Sequence, residues 1–261
     1  MNQGYPPPTD YPPPPPSGRQ SGPFPQQVRV QEPGGAPAVT YALMGINVVV
    51  FVLQIGSQYL LGADYPAALG LKVNELILQG QLWRLFTPMF LHGSILHIAL
   101  NMYALFAFGP TLERYYGHGR YIALYLVSGF AGNVLSFMFS LAPSLGSSTA
   151  IFGLLGAEAV FLYRNRKLFG SSARRALTSL ITIAAINLVI GMSGGIDNWG
   201  HVGGLIGGSL FAWFGGPLLE VQGTYPDLRL EDQRRMTEVL LAGLGVLGLF
   251  ALLAFSQFIG R

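Results

Sequence analysis

Apolar residues gather along this chain in seven barely interrupted runs, at about 41–61, 95–112, 121–142, 147–163, 176–192, 199–219 and 239–259. Each is near or above the roughly 17 residues a helix needs to cross a bilayer, so the pattern predicts seven spanning helices. Between the first two runs lies a long stretch, about 62–94, in which apolar LILQGQLWRLF leads into Pro88. Trp83 within it predicts an amphipathic segment at the membrane surface. The loop near 142–146 is short and uncharged, while that at 191–198, holding Gly191, Gly194 and Gly195, is expected to be flexible.

Ahead of the first run the pattern disappears. Residues 1–38 hold 12 of the 18 prolines, among them Pro12 to Pro16, with Gly, Gln and Ser between them. This composition cannot bury a core and predicts a disordered, partly polyproline tail over 1–39. It is not a signal peptide, having no charged start leading into an apolar h-region with a cleavage site. The expected organisation is the tail, a helical core over 40–219, a linker over 220–238 and a last helix over 239–261. A solvated tail is the simplest reading; its alternative is a proline-binding partner.

Composition agrees with the pattern: 51% of residues are hydrophobic, 10% are charged, and the mean hydropathy is +0.43. The chain is a multi-pass protein whose partner is the lipid bilayer. With no cysteine, disulfides, Cys-ligated metals and thiol nucleophiles are excluded. A net charge of +3 spread between apolar runs argues against nucleic acid. Of the 15 Lys and Arg, 12 lie in the tail and in the loops at 114–120, 164–175 and 220–235, leaving Lys72, Arg84 and Arg261 opposite. The positive-inside rule therefore predicts a cytoplasmic N-terminus and an outer C-terminus, with the bacterial cytoplasmic membrane as the expected location.

In that topology the second, fourth and sixth helices all start at the outer face. Their first turns carry the unusual residues: His97 and Asn101, four apart on one face; Ser148; and His201. Ser148 alone could be packing, since small hydroxylated residues let membrane helices approach closely. Polar residues on three helices at one depth point instead to a shared water-accessible site, because burying such groups in lipid costs about 2.5–3.5 kcal/mol even on the lenient insertion scale. A hydroxyl is a poor nucleophile until a neutral imidazole takes its proton. Ser148 heads a helix whose free N–H groups, with Asn101 and His97, supply oxyanion donors. No carboxylate is placed by this reading to orient His201, which predicts a dyad. Close approach is allowed by Gly200, Gly204 and Gly208 and by Gly203 and Gly207 on one helix, and by Gly153, Gly156 and Ala157 on the other.

These residues, as Trp83-Arg84, HIALN over 97–101, GSSTAIFG over 146–153 and GHVGGLIGG over 200–208, resemble the rhomboid intramembrane serine proteases across about residues 41–219. The resemblance implies an all-α polytopic membrane protein with a rhomboid-like six-helix core plus a seventh C-terminal transmembrane helix. It implies Ser148 as nucleophile, His201 as base, and His97, Asn101 and the Ser148 N–H as oxyanion donors. Gly146 and Phe152 are then supporting residues, Phe152 as an aromatic platform beneath His201, and Trp83-Arg84 a structural signature. The implied function is hydrolysis of peptide bonds in or near transmembrane segments of single-span or polytopic membrane proteins, with no cofactor and no metal. Thr149 and Gly200 depart from the glycine and alanine usual beside the serine and histidine. His92 and His118 are expected to be structural or solvated, and Asn187 to join two helices. The rival readings are an inactive rhomboid-like protein that binds membrane clients, and a transporter; the transporter reading lacks a repeated half and a charged pore ring.

Overall fold

The computed structural model describes residues 30–259. Short strand β1 (Val30–Gln31) precedes helix α1 (Ala38–Leu61); α2 (Tyr65–Gly70), α3 (Asn74–Leu78) and two 3₁₀ turns (Leu82–Leu85, Thr87–Phe90) fill the first loop. Then come α4 (Ile95–Tyr116), α5 (His118–Phe139), α6 (Ser148–Arg164), α7 (Arg166–Gly191) and α8 (Asn198–Gly215), followed by β2 (Leu219–Gln222), β3 (Leu228–Asp232) and α9 (Met236–Ile259). All seven apolar runs are helical. α7 changes direction at Gly170, whose φ of 54° and ψ of −130° suit only glycine.

α5, α6 and α8 pack most extensively on one another and form the centre. α5, α1, α4, α7 and α9 are long and apolar enough to cross a membrane by length and composition. Their burial differs widely: the apolar window of α5 is 72% buried and that of α7 is 11% buried, so α7 presents nearly all of its surface outward. α6, with 17 residues, and α8, with glycines and His201 in its first turns, fall short of that test although the sequence pattern counts both as spans. The physical reason is their surroundings, because a helix enclosed by protein needs small residues for close approach more than it needs hydropathy.

α1 shows the same inversion. Its buried residues are Thr40, Leu43, Asn47 and Gln54, so three of the four are polar and most of its apolar positions face outward. Its N-terminus, where free N–H groups need acceptors, is capped from another helix: Glu113 accepts from Val39 N at 2.8 Å, Thr40 N at 2.7 Å and Thr40 Oγ1 at 2.6 Å. His118 meets the same carboxylate at 2.6 Å, a structural role.

Two expectations need correction. The tail does not run unstructured to residue 39: β1 pairs in parallel with β3, β3 pairs antiparallel with β2, and α1 begins at Ala38. Residues 220–238 are correspondingly a hairpin and not a plain linker. The alternation Leu228, Arg229, Leu230, Glu231 carries the two-residue period of a strand in a stretch too short to stand out. Residues 1–29 of the proline-rich segment lie outside the described residues. The first loop is more than an amphipathic segment, being a folded unit with Lys72, Ile77, Arg84, Leu85 and Met89 buried. The Arg84 guanidinium holds that unit together, donating to the carbonyls of Ala68 at 2.7 Å and Leu71 at 2.8 Å and to Gln81 Oε1 at 2.8 Å. Trp83, half exposed, ties its ring nitrogen to the Leu69 carbonyl at 3.0 Å.

Candidate functional site

The site is assembled from the N-terminal ends of α4, α6 and α8. The loop that delivers α6 is pinned by the first loop. Lys72 N donates to Ser144 O at 3.0 Å and Ser144 N to Lys72 O at 3.2 Å, while the buried Lys72 ammonium donates to the carbonyls of Ser140 at 2.7 Å and Ala142 at 2.8 Å. Burial pushes that amine down from 10.5 to about 8. Gly146 N then donates to Pro88 O at 2.9 Å, with the Gly146 backbone at φ +130°. Glycine is required there twice over: the conformation disfavours any side chain, and a Cβ would come within 2.8 Å of His97 Nε2.

Ser148 is the first residue of α6. Its Oγ lies 2.9 Å from His201 Nε2 on the first turn of α8. The Phe152 ring, one turn below Ser148, stacks on the His201 imidazole with centroids 4.1 Å apart and planes 7° apart. Two rows on α8 hold this register. Gly204 and Gly208 approach so closely that an added Cβ would strike the carbonyls of Thr149 and Gly153 on α6, while Gly203 and Gly207 lie against Ala131 on α5. Rows four residues apart thus serve different neighbours, wedging α8 between α5 and α6.

Ser147 has a different partner. Its Oγ is 3.2 Å from His92 Nε2, and both side chains are buried. His92 is fixed through its main chain by Gln54, whose side chain accepts from His92 N at 3.0 Å and donates to His92 O at 3.2 Å. Burial, with His97 nearby, pushes the His92 imidazole down to about 4, so it stays neutral. The adjacent serines therefore meet separate histidines. Only Ser148 lines the open cavity of about 430 Å³ that also holds His97, Asn101, Asn133, Asp197 and His201.

Asn101 Nδ2 is buried and makes no hydrogen bond among the described residues, which leaves a donor available in the cavity wall. His97 lines the same cavity, its imidazole against the Gly146 turn. With Ser148 as the first residue of α6, its N–H has no carbonyl a turn earlier in the helix to bond. The arrangement presents a hydroxyl beside a base, with donors converging on one space.

Three placements were not anticipated. Asn187 does not join helices; its Nδ2 bonds Ile183 O in its own turn, and the side chain lines the cavity. Asn133, anchored to Leu85 O at 3.0 Å, also lines it and carried no spacing signal, lying mid-helix among apolar residues. Asp197 caps α8 by accepting from Gly200 N at 2.9 Å and reaches the cavity beside His201; its position four residues before His201 was the available clue. The departures at Thr149 and Gly200 explain each other in volume, since the Thr149 Cγ2 methyl sits 2.9 Å from where a Gly200 Cβ would be.

Comparison with known proteins places residues 79–218 in the Rhomboid domain family. The chain is 43% identical over 175 residues to the rhomboid protease GluP of Bacillus subtilis (strain 168), covering 67% of this chain and 34% of that one. It is 37% identical over 157 residues to RHOMBOID-like protein 9, chloroplastic, of Arabidopsis thaliana, covering 60% of this chain and 36% of the relative. With RHOMBOID-like protein 1 of the same plant it shares 40% over 144 residues, 55% of this chain and 37% of the other. The chain thus spans about a third of each of these relatives' length.

Proposed function

Because the chain belongs to the rhomboid family, we propose that it is an intramembrane serine protease that hydrolyses peptide bonds in or near the transmembrane segments of membrane proteins. The observation that carries this reading is the 2.9 Å contact between Ser148 Oγ and His201 Nε2 at the floor of a cavity lined by polar groups. In the proposed cycle Ser148 Oγ attacks the scissile carbonyl carbon as its proton passes to His201 Nε2. The carbonyl oxygen becomes an oxyanion, accepting from Asn101 Nδ2, the His97 imidazole and the Ser148 N–H. Collapse breaks the C–N bond, and His201 returns the proton to the leaving amine. Water, deprotonated by the same imidazole, then attacks the acyl carbon, and the bond to Ser148 Oγ breaks as His201 returns that proton to Oγ. Phe152 holds the ring in plane throughout.

We place the N-terminus in the cytoplasm and the C-terminus outside, in the cytoplasmic membrane of a bacterium. The basic loops support this orientation. The sheet fits the number of crossings: β1 precedes α1 and β3 follows α8, and their pairing puts those two ends on one side, as six intervening crossings require.

The test is cleavage of single-span test substrates by purified protein, with Ser148→Ala, His201→Ala and the double variant alongside. Each single variant should fall to background while remaining folded, and the double should cost little more, because the pair acts as a unit. A serine-directed fluorophosphonate should modify Ser148 and not Ser147, read by mass spectrometry. Wild-type protein that binds such substrates without cutting them, or independent multiplicative losses, would overturn the reading.

A further inference from the structure

Around Gly200 the structure gathers polar atoms that nothing yet described uses. His201 Nδ1, Asp197 Oδ2 and Thr149 Oγ1 are each buried and each without a hydrogen bond among the described residues. Buried polar atoms are nearly always satisfied, so an acceptor and a donor orphaned one helical turn apart call for an explanation. Asp197 divides its carboxylate: Oδ1 takes the Gly200 N–H at 2.9 Å, while Oδ2 sits 2.8 Å from where a Gly200 Cβ would be, beside the residue that precedes His201. Asp197 and His201 line the same cavity.

The chemistry assigns these atoms complementary needs. If His201 Nε2 is to receive the Ser148 proton, the neutral ring must carry its hydrogen on Nδ1, and that N–H then lacks an acceptor. When Nε2 gains the proton the ring becomes a cation. The other titratable side chains nearby are His97, across the cavity, and Lys72, behind the loop at 140–146; neither brings negative charge. Asp197 is the carboxylate that lines the cavity beside the ring.

We propose that Asp197, beyond capping α8, is a positioning residue for the histidine, its charge favouring the Nδ1–H tautomer and stabilising the imidazolium from the same cavity wall. This rests on the protease reading of the site. Capping and charge can be separated, since Asn and Ser cap a helix about as well as Asp but carry no charge. Asp197→Asn and Asp197→Ser should therefore keep the wild-type unfolding midpoint and KM while lowering kcat by about 10- to 10,000-fold, the upper end being the loss when a carboxylate bonded directly to a catalytic histidine is replaced. Asp197→Ala should lose the midpoint as well. The rate of Ser148 labelling by a fluorophosphonate should fall in step with kcat. Wild-type kcat in Asp197→Asn would overturn the proposal, as would a fall in kcat that tracks a lowered midpoint across all three variants. Failure of the wild-type protein to label at Ser148 would instead remove the protease reading on which it rests.

Discussion

Adding one methyl group at Gly204 tests how the two halves of the site are held in register. A Cβ there would strike the Thr149 carbonyl oxygen, one residue past Ser148, and its next nearest atoms are also Thr149 main chain. No rotamer change can relieve a clash with backbone, so α6 and α8 must part. Overpacking of this kind costs about 1–3 kcal/mol. The effect on rate is larger in proportion, because the Ser148 to His201 hydrogen bond spans the same interface and a misplacement of about 1 Å costs on the order of a hundredfold. Gly204→Ala should thus lower the thermal unfolding midpoint in detergent and reduce cleavage of a single-span test substrate by about two orders of magnitude. Gly208→Ala, against Gly153 one turn farther from the dyad, should destabilise comparably with a smaller loss of rate. Gly248→Ala in α9, which would meet nothing within 4 Å, should leave the rate unchanged and lower no midpoint, since alanine there only favours the helix. Full activity with an unchanged midpoint in Gly204→Ala would refute the claim that this approach sets the geometry.

Other perturbations separate roles that lie close together. Gly200→Ala meets the Thr149 Cγ2 methyl at 2.9 Å, so combining it with Thr149→Ala should recover part of its cost, a coupling of about 0.5–3 kcal/mol in a four-protein unfolding cycle; simple additivity would count against the volume exchange. Ser147→Ala should retain cleavage yet lose about 1–3 kcal/mol in the same unfolding assay, because it leaves His92, whose Nδ1 already has no partner among the described residues, without its remaining one. Lys72 titrates at about 8 in the fold against 10.5 when free, so its buried ammonium opposes folding fully below pH 8, and stability should rise as pH climbs from 8 toward 10.5. Lys72→Met should lack that rise; parallel stability curves for the two proteins would sink the argument.

How far the sequence carried the fold depends on which force placed each element. Lipid imposes a coarse rule, that backbone polar groups be satisfied within a helix, and it writes that rule as long apolar runs. The seven long helices were therefore visible, and the convergence of His97, Asn101, Ser148 and His201 followed from topology plus depth. Where protein replaces lipid as the surrounding medium, the rule no longer applies. α1 turns Asn47 and Gln54 inward, and the first loop buries Lys72 and Arg84, because carbonyls presented by the fold solvate groups that hydropathy alone assigns to water. The Lys72 ammonium is satisfied by carbonyls at Ser140 and Ala142, some seventy residues away, and no local pattern encodes such a partner.

The same distinction explains why Asp197 was missed while His201 was found. His201 stands out because it lies on a helix where most neighbours are Gly, Leu or Ile, and a polar residue against that background demands a reason. Asp197 sits at the boundary between a glycine-rich loop and the helix, where an acidic residue is the ordinary N-cap and so excites no notice. Its second oxygen, buried and unpartnered among the described residues, becomes apparent only once α5 and α6 are packed around Gly200. The cap also fixes where α8 begins, and the spacing of four residues then sets His201 on the carboxylate's own face of the helix. One residue thus sets the start of the helix and the charge nearest its histidine, which is why only substitutions that preserve the first role can expose the second.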